Sequence, residues 1–221
     1  MISLEAGKFI REWSTGPWLR LAHIDRYSSI PVLKKESVAE HSFFTALYAY
    51  VLALQTGANV NDVLARAVVH DLDEALTGDF IRPFKYSSPD LKKILHESVD
   101  YALTRALAGY SIGHIIKLKW CKAKDDSLEG QIVHLADLWS VVVYARREYI
   151  LGNNFARSIL DEVATWLASA DWCKALAPYA QAISALARNA ADEFEGKHVR
   201  LGAIKELQDP YHEDLVTRRK P

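Results

Sequence analysis

The chain has 221 residues and a formal net charge of −1 at pH 7; half of its residues are hydrophobic and a quarter are charged. This balance is typical of a globular protein and excludes disordered and collagen-like chains as well as a strongly basic surface. A chain of this length can bury about 70% of the surface it exposes when unfolded, so it needs no disulfides to stabilise its core.

Periodic apolar residues predict helices through most of the chain. In chain order, we predict helices at residues 3–14, 17–25, 38–55, 61–76, 89–107, 128–151, 155–168 and 172–193. No alternating run of residues is long enough to predict a strand. The sequence therefore predicts an all-α fold, a single-domain helical bundle over residues 1–196, followed by a charged tail at 197–221.

Capping residues mark the starts of three of these helices. Ser37 and the glutamate three residues later have the spacing of a capping box. Asn61 is predicted to cap the helix at 61–76, and Ser88 with the following proline predicts the start of the helix at 89–107. Two linkers remain between the helices, at residues 26–36 and 79–88.

Several ionisable residues fall on helix faces that are otherwise apolar. His41 lies on such a stripe in the helix at 38–55, and Asp137 lies on another in the helix at 128–151. On a continuous helix, His70, Asp71 and Glu74 would project close together because they are spaced by three and four residues. A lone carboxylate on a buried face would cost several kcal/mol to desolvate.

Each of these residues also has a purely structural interpretation. A histidine on an apolar face is commonly a hydrogen-bonded core residue, and Asp137 could belong to an interior salt bridge. Together, however, two imidazoles and two carboxylates spread over three helices suit a divalent ion such as Zn²⁺, Mn²⁺, Co²⁺ or Fe²⁺. A mixed set of this kind leaves coordination positions for water and substrate.

The pattern H…HD…D in a helical chain resembles that of the HD-domain metal-dependent phosphohydrolases. The segments IDRYSSIPVLKKESVAEHS and HDLDEALTGDFIRPFKY are similar to those of the bacterial 5′-deoxynucleotidases and of the phage dATP triphosphohydrolases in that superfamily. The resemblance covers about residues 15–150, which would form the metal core. Helices predicted at 154–193 would complete the domain.

The resemblance implies the roles of five residues at the metal centre. His41, His70, Asp71 and Asp137 would be the ligands of a divalent metal ion, which could be Co²⁺, Mn²⁺, Zn²⁺, Mg²⁺ or Fe²⁺. Glu74 would be catalytic, because the matching glutamate in similar enzymes orients or deprotonates the attacking water.

The resemblance also implies the substrate-binding residues. Arg26 would orient the phosphate and act in catalysis, and Tyr27 stands where the bacterial enzymes have a tryptophan that packs on the nucleoside. Asp79 would accept hydrogen bonds from the sugar. Arg82 and Lys85 would be additional cations for the anionic end of the ligand, and Arg82 replaces a smaller neutral residue of the bacterial pattern.

These residues predict an enzyme that cleaves the 5′-phosphate ester of 2′-deoxynucleotides with metal-activated water, releasing phosphate. One alternative is a phage-type dATP triphosphohydrolase that gives deoxyadenosine and triphosphate and also acts on dADP and dAMP. Another is a non-catalytic module that senses a metal or a nucleotide. The basic run formed by Lys117, Lys119, Lys122 and Lys124 is interpreted as a solvated helix face.

The remaining expectations concern partners and location. We expect a small-molecule deoxynucleotide substrate, no nucleic-acid partner, and a homodimer or larger homo-oligomer, as the resemblance implies. Cys121 and Cys173 are far apart, and no apolar run approaches the roughly 20 residues of a membrane span. With no recognisable signal peptide at its start, the sequence predicts a cytoplasmic protein, in the host cytoplasm if the chain is phage-encoded.

Overall fold

Helices make up the regular structure of the computed structural model, which describes residues 4–85 and 87–190, without the side chains of residues 82 and 83. They are α1 (Leu4–Ser14), a 3₁₀ helix (Pro17–His23), α2 (Val38–Thr56), α3 (Val60–Val69), α4 (Glu74–Thr77), α5 (Arg82–Lys85), α6 (Pro89–Leu107), α7 (Gly113–Cys121), α8 (Leu128–Ile150), α9 (Ala156–Ser169) and α10 (Ala177–Arg188). No described residue belongs to a strand, so the all-α prediction is confirmed. The predicted tail at 197–221, and the domain boundary before it, lie outside the described residues.

The central helix is α8, which packs against α2, α3, α9 and α10. Its buried residues include Ile132, Leu135 and Val142, none of which is measurably exposed. Replacing a large aliphatic side chain in a core of this kind by alanine costs about 2–5 kcal/mol. Residues that α8 carries toward the candidate site therefore stand on a rigid support.

A second, smaller core lies under the segment that follows α3. Its buried members are Val69, Leu72, Leu103 and Leu107, and the partly buried residues packed against them are Trp13, Trp18, Leu21, Leu76, Ile116 and Trp120.

Within the described residues, no helix has both the length and the apolarity that a membrane span requires.

The capping predictions are confirmed at two helices and wrong at a third. Ser37 forms the capping box of α2, and Ser88 accepts a hydrogen bond from a backbone N–H in the first turn of α6. The cap of α3 is Asn59, whose side chain accepts from the backbone N–H of Asp62, and not Asn61. Asn59 is the last residue with extended backbone, so the cap lies two residues earlier than predicted and the helix begins at Val60.

The helix predicted at 61–76 is not continuous. It ends at Val69, and the chain then forms tight turns in which the N–H of Leu72 donates to Val69 and that of Glu74 donates to Asp71, each three residues back. The apolar pattern does not reveal this change of pitch, because Leu72 and Ala75 stay buried with a spacing of three residues. His70 and Asp71 therefore lie on a turn between α3 and α4.

Two further differences concern the second half of the chain. The last predicted helix, at 172–193, begins only at Ala177, and Pro178 in its first turn explains the later start because proline favours that position. Residues 191–193 lie outside the described part of the chain. Helix α7 was not predicted, because the sequence there was interpreted only as a basic run.

The predicted linker at 26–36 is closed at its base by main-chain contacts. Asp25 and Ser37 form an isolated antiparallel bridge, and the N–H of Arg26 donates to the carbonyl of Glu36 at 2.9 Å. The two ends of the linker therefore lie side by side at the start of α2.

A buried carboxylate on α8 holds the middle of this linker. Glu148, which is 1% exposed, accepts hydrogen bonds from the backbone N–H groups of Leu33 (2.6 Å) and Lys34 (2.8 Å) and from Nδ2 of Asn153 (2.8 Å). The hydroxyl of Tyr144 donates to the carbonyl of Lys34 at 2.7 Å. The linker is thus fixed on α8 although more than a hundred residues separate them in sequence.

We expect Glu148→Ala to lower the free energy of unfolding by about 3 kcal/mol, because it leaves buried N–H donors without an acceptor. Chemical denaturation of the wild type and the variant measures this change. Glu97→Ala is the matched control: Glu97 is a surface residue with only a distant lysine partner, and its loss should cost less than about 0.5 kcal/mol. Equal stabilities of Glu148→Ala and wild type would contradict the conclusion that Glu148 holds the linker at 26–36 on α8.

Candidate metal centre and active site

Three elements bring the four predicted ligands together. His41 comes from α2, His70 and Asp71 from the turn after α3, and Asp137 from α8. Nε2 of His41 lies 2.9 Å from Oδ1 of Asp137 and 3.7 Å from Oδ2 of Asp71, and Nε2 of His70 lies 3.0 Å from the same Asp71 oxygen. The candidate ligand atoms of His41, His70 and Asp71 all lie within 4.8 Å of one another.

The donor set fits a divalent cation. Nδ1 of His70 lies 2.8 Å from the carbonyl oxygen of Ala67, which can only accept, so Nδ1 carries a proton. Nε2 is therefore the ring atom that could bind a metal; it is buried and has no hydrogen-bond partner among the described residues. A hydrogen bond from Nδ1 to a carbonyl is the usual way in which a metal-binding histidine is oriented.

His41 has the same orientation toward the cluster. Its Nδ1 lies 3.2 Å from the hydroxyl of Ser140, while Nε2 faces Asp137. Burial and the nearby Arg26 lower the pKa of His41 to about 4, although Asp137 and Asp71 act in the opposite direction. The imidazole is therefore neutral at pH 7, which is the form that binds metals.

Asp137 is ionised in this environment. Burial opposes the charged form, but the charge of Lys124 outweighs it and holds the pKa of Asp137 well below its usual range. A neutral His41 and an ionised Asp137 together are the protonation states that a divalent metal requires of its ligands.

Glu74 lies at the start of α4, 9% exposed and close to the cluster. Burial, followed by the charges of Asp71 and Asp79, raises the pKa of Glu74 well above its ordinary value, although Arg26 acts in the opposite direction. A carboxyl group with a raised pKa next to a cation site is suited to exchanging a proton with water.

Lys124 belongs to the same cluster, and its interpretation as part of a solvated face is wrong. Its Nζ lies 2.7 Å from Oδ2 of Asp137 and 3.7 Å from Oδ1 of Asp71. Lys117 and Lys119 likewise form ion pairs with aspartates rather than a solvated face. Lys124 is the interior partner of Asp137 that was not identified in the sequence.

The residues predicted to bind phosphate and sugar lie on the linker at 26–36 and after α4. Nη1 of Arg26 is buried and has no hydrogen-bond partner in the described part of the chain. Tyr27, whose φ of +60° is unusual for a non-glycine residue, stacks on Tyr144 with a centroid distance of 4.7 Å. The backbone N–H of Tyr27 donates to Asp79. Arg26, Tyr27 and Asp79 are thus held on neighbouring segments.

Glu36, at the other end of this linker, was not predicted. It is 6% exposed, and its Oε2 is one more buried atom without a hydrogen-bond partner within the described residues. Burial raises the pKa of Glu36 to about 7, even though Arg26 lowers it. Glu36 directly precedes the capping box of α2, and nothing in the sequence there predicts that its side chain is buried.

A cavity of about 430 Å³ opens beside the cluster. The residues that line it include His70, Asp71, Glu74, Phe80, Lys85, Lys92, His96, Trp120 and Lys124. Among the predicted substrate residues, Lys85 lies on its wall, whereas Arg26, Tyr27 and Asp79 are not part of the lining. The side chain of Arg82 lies outside the described residues. The cavity joins two of the candidate ligands, Glu74 and several cations in one space.

Comparison with known protein families gives one match that covers most of the chain. The sequence pattern of the YfbR-like 5′-deoxynucleotidase family matches residues 17–185. A 5′-deoxynucleotidase of Pasteurella multocida is 34% identical over 95 residues, which is 40% of this chain and 49% of that protein. One of Vibrio vulnificus is 36% identical over 80 residues, 34% of this chain and 41% of that protein. The aligned region thus spans about half the length of these relatives or less.

Solved structures are similar over a larger share of the chain. An HD-domain phosphohydrolase of Listeria innocua has a TM-score of 0.64 and 22% identity, covering 84% of this chain and 87% of that one. The HD phosphohydrolase DatZ of cyanophage S-2L, bound to dA and one catalytic Zn²⁺ ion, has a TM-score of 0.57 and 17% identity, covering 78% and 95%. At these identities the likeness concerns the fold, which is that of the HD-domain phosphohydrolases.

We expect Asp137→Ala to weaken the affinity for a divalent metal by ~100-fold or more, because it removes an ionised side chain from the cluster. Titration of metal-free protein with Mn²⁺ or Co²⁺, and elemental analysis of the purified protein, measure the change. Asp126→Ala, at an exposed aspartate in the loop before α8, is the control and should bind metal as the wild type does. Full metal occupancy in Asp137→Ala would exclude Asp137 as a ligand.

Proposed function

The chain belongs to the YfbR-like 5′-deoxynucleotidase family, and we propose that it hydrolyses the 5′-phosphate ester of 2′-deoxynucleoside monophosphates to a deoxynucleoside and phosphate. The observation that carries this proposal is the cluster of His41, His70, Asp71 and Asp137, in which Nε2 of His70 lies 3.0 Å from a carboxylate oxygen of Asp71. The similarity to the 5′-deoxynucleotidases of Pasteurella multocida and Vibrio vulnificus supports the same substrate class.

The four clustered residues would hold one divalent ion, Co²⁺, Mn²⁺, Zn²⁺, Mg²⁺ or Fe²⁺. When bound, such an ion lowers the pKa of water and offsets negative charge on a phosphoryl group. A neutral His41 and an ionised Asp137 are the protonation states that this role needs. Mixed nitrogen and oxygen ligands are compatible with all five metals, so the chemistry of the donors does not select one.

Glu74 would orient the attacking water and take its proton. It lies next to the ligand turn on α4 and lines the cavity together with Asp71. In the reaction, a bond forms between the water oxygen and phosphorus, and the bond from phosphorus to O5′ breaks. One proton of water passes to Glu74, whose ionised form the charge of a bound divalent ion would favour, and O5′ takes up a proton from solvent to give the deoxynucleoside. Positioning the water in line with the leaving oxygen is the main contribution that a protein makes to such a transfer.

Arg26 would bind the phosphate, since a guanidinium offers parallel donors to two phosphate oxygens and Nη1 of Arg26 is buried without a partner in the described residues. Asp79 would accept a hydrogen bond from the sugar, and Tyr27 would pack on the nucleoside. The stacking of Tyr27 on Tyr144 would hold its ring in place. Lys85 on the cavity wall would add positive charge near the phosphate.

A second candidate function is the hydrolysis of dATP to deoxyadenosine and triphosphate. The cations that line the cavity beyond Glu74, among them Lys85 and Lys92, favour a ligand with more than one phosphate. The two functions differ in their products, because the same attack on the α-phosphorus releases phosphate from dAMP and triphosphate from dATP.

We also propose that the protein is a homodimer or larger homo-oligomer. One face of helix α2 exposes four large apolar side chains, Phe43 (65%), Leu47 (43%), Tyr50 (40%) and Leu54 (56%). This apolar surface is larger than a surface helix of a monomeric protein usually presents. Light scattering on Leu47→Glu should show dissociation, whereas Ile94→Glu, at an exposed apolar residue of α6, should leave the wild-type mass unchanged. A monomeric wild type would refute the proposal.

We also propose that the protein lies in the reducing cytoplasm, because its two cysteines are free and one of them is exposed.

Product analysis tests the function and the substrate class. The metal-loaded protein is assayed on dAMP, dADP, dATP, AMP and ATP with each of the five metals, and kcat/KM is compared. We expect dAMP to give phosphate and to be preferred over AMP by at least ~10-fold, because a closely packed sugar site excludes the 2′-hydroxyl. Triphosphate as the main product from dATP would favour the second candidate, and no turnover with any metal would refute both.

Glu74→Gln tests the role of the glutamate. The amide keeps the size of the side chain but cannot take a proton, so kcat should fall by roughly 10²–10⁴ while metal and dAMP still bind. Single-turnover kinetics, with metal content measured on the same sample, separate these effects. Wild-type turnover of Glu74→Gln would assign the proton transfer to another residue.

A further inference from the structure

The loop between α7 and α8 is fixed by a buried arginine of α3. Nη1 of Arg66, a residue only 6% exposed, donates to the carbonyl of Lys122 (2.8 Å), to Oδ1 of Asp125 (2.9 Å) and to the hydroxyl of Ser127 (2.9 Å). Three contacts within six residues leave this loop little freedom. Its backbone is therefore held in place around Lys124.

Lys124 extends from this loop between the ligand cluster and the cavity. Its Nζ lies 2.7 Å from Oδ2 of Asp137 and 3.7 Å from Oδ1 of Asp71, and its side chain is 33% exposed. The same residue lines the cavity together with Glu74. The ammonium group is thus accessible to a ligand while its position is defined by the fold.

The hydrogen bonds of Lys124 are incomplete. An ammonium group has three N–H donors, and the described residues offer only Asp137 within hydrogen-bond distance. A divalent ion held by Asp137 and Asp71 would also neutralise the charge that now attracts Lys124. A partly exposed ammonium group beside a metal site can therefore donate to an anion that enters the site, and in the proposed reaction that anion is the phosphate of the substrate.

We propose that Lys124 is a further catalytic residue, which donates hydrogen bonds to the non-ester oxygens of the phosphate at the metal centre. This inference rests on the proposed function, since it assigns the phosphate contact within the same site. Lys124 undergoes no covalent change; it stabilises negative charge on the phosphoryl group as the bond to water forms and the bond to O5′ breaks. Arg26, from the linker at 26–36, is the other cation of the site.

A structural role would give different results. If Lys124 only neutralised Asp137, its removal would change metal binding and stability but not the affinity for phosphate at saturating metal. If Lys124 contacts phosphate, its removal weakens phosphate binding. Metal binding is not weakened in that case, because the loss of a neighbouring positive charge favours the binding of a cation. The two roles are therefore separated by two binding measurements that do not depend on turnover.

The experiment compares wild type with Lys124→Met, Lys124→Arg and the control Lys122→Met, whose exposed lysine lies two residues earlier. The dissociation constant of inorganic phosphate is measured by calorimetry on Mn²⁺-loaded protein, and that of Mn²⁺ on metal-free protein. For Lys124→Met we expect phosphate binding at least ~10-fold weaker, kcat/KM for dAMP ~100-fold lower and Mn²⁺ affinity not weakened. Lys124→Arg should recover part of the loss, and Lys122→Met should match wild type.

Unchanged phosphate affinity in Lys124→Met would overturn the proposal, as would a loss of Mn²⁺ affinity that accounts for the whole fall in activity. Lys124→Gln, which keeps a hydrogen-bond donor of similar length, replaces the methionine variant if that variant does not fold. If wild type hydrolyses no nucleotide, the proposed function fails, whereas the comparison of phosphate binding still decides the role of Lys124.

Discussion

Concentrated negative charge in a poorly solvated space is the constraint on which the candidate site depends. The carboxyl groups of Asp71, Glu74 and Asp137 converge beside the imidazoles of His41 and His70, and desolvation disfavours the ionised form of all three carboxyl groups. Such a cluster is stable only if cations balance it. Lys124 and Arg26 supply part of the positive charge, and the unpartnered Nε2 of His70 marks where a divalent ion would supply the rest.

Arg26 and Lys124 are positioned in similar ways, because a buried charged side chain holds the segment that carries each of them. Glu148 of α8 binds backbone N–H groups of the linker that carries Arg26, and Arg66 of α3 binds the loop that carries Lys124. Each of these residues is a buried charged side chain: Glu148 binds mainly backbone N–H groups, whereas Arg66 binds one carbonyl and the side chains of Asp125 and Ser127. Neither uses the side chain of Arg26 or Lys124, so these two side chains are free to act at the site.

The helices around the site explain why its geometry is rigid. Asp137 stands on α8, which is packed by α2, α3, α9 and α10, and His41 faces it from the adjacent helix α2. His70 and Asp71 instead lie on a turn whose tight hydrogen bonds differ from those of the helix predicted there. The turn directs the side chains of His70 and Asp71 toward α2 and α8. The cluster therefore does not require the continuous α-helix that was predicted at residues 61–76.

The amino-acid sequence alone determined the helical class and the capping box at Ser37, because apolar periodicity and caps are local features that can be recognised without knowledge of the fold. It also indicated the candidate ligands, because the H…HD…D pattern resembles that of a known family. Only the tertiary structure decided the break at His70 and the places of Lys124 and Glu148. Lys124 meets Asp137 from a loop, and Glu148 binds a linker more than a hundred residues away. Contacts of this kind follow from how helices pack, and they leave no periodic signal in the chain.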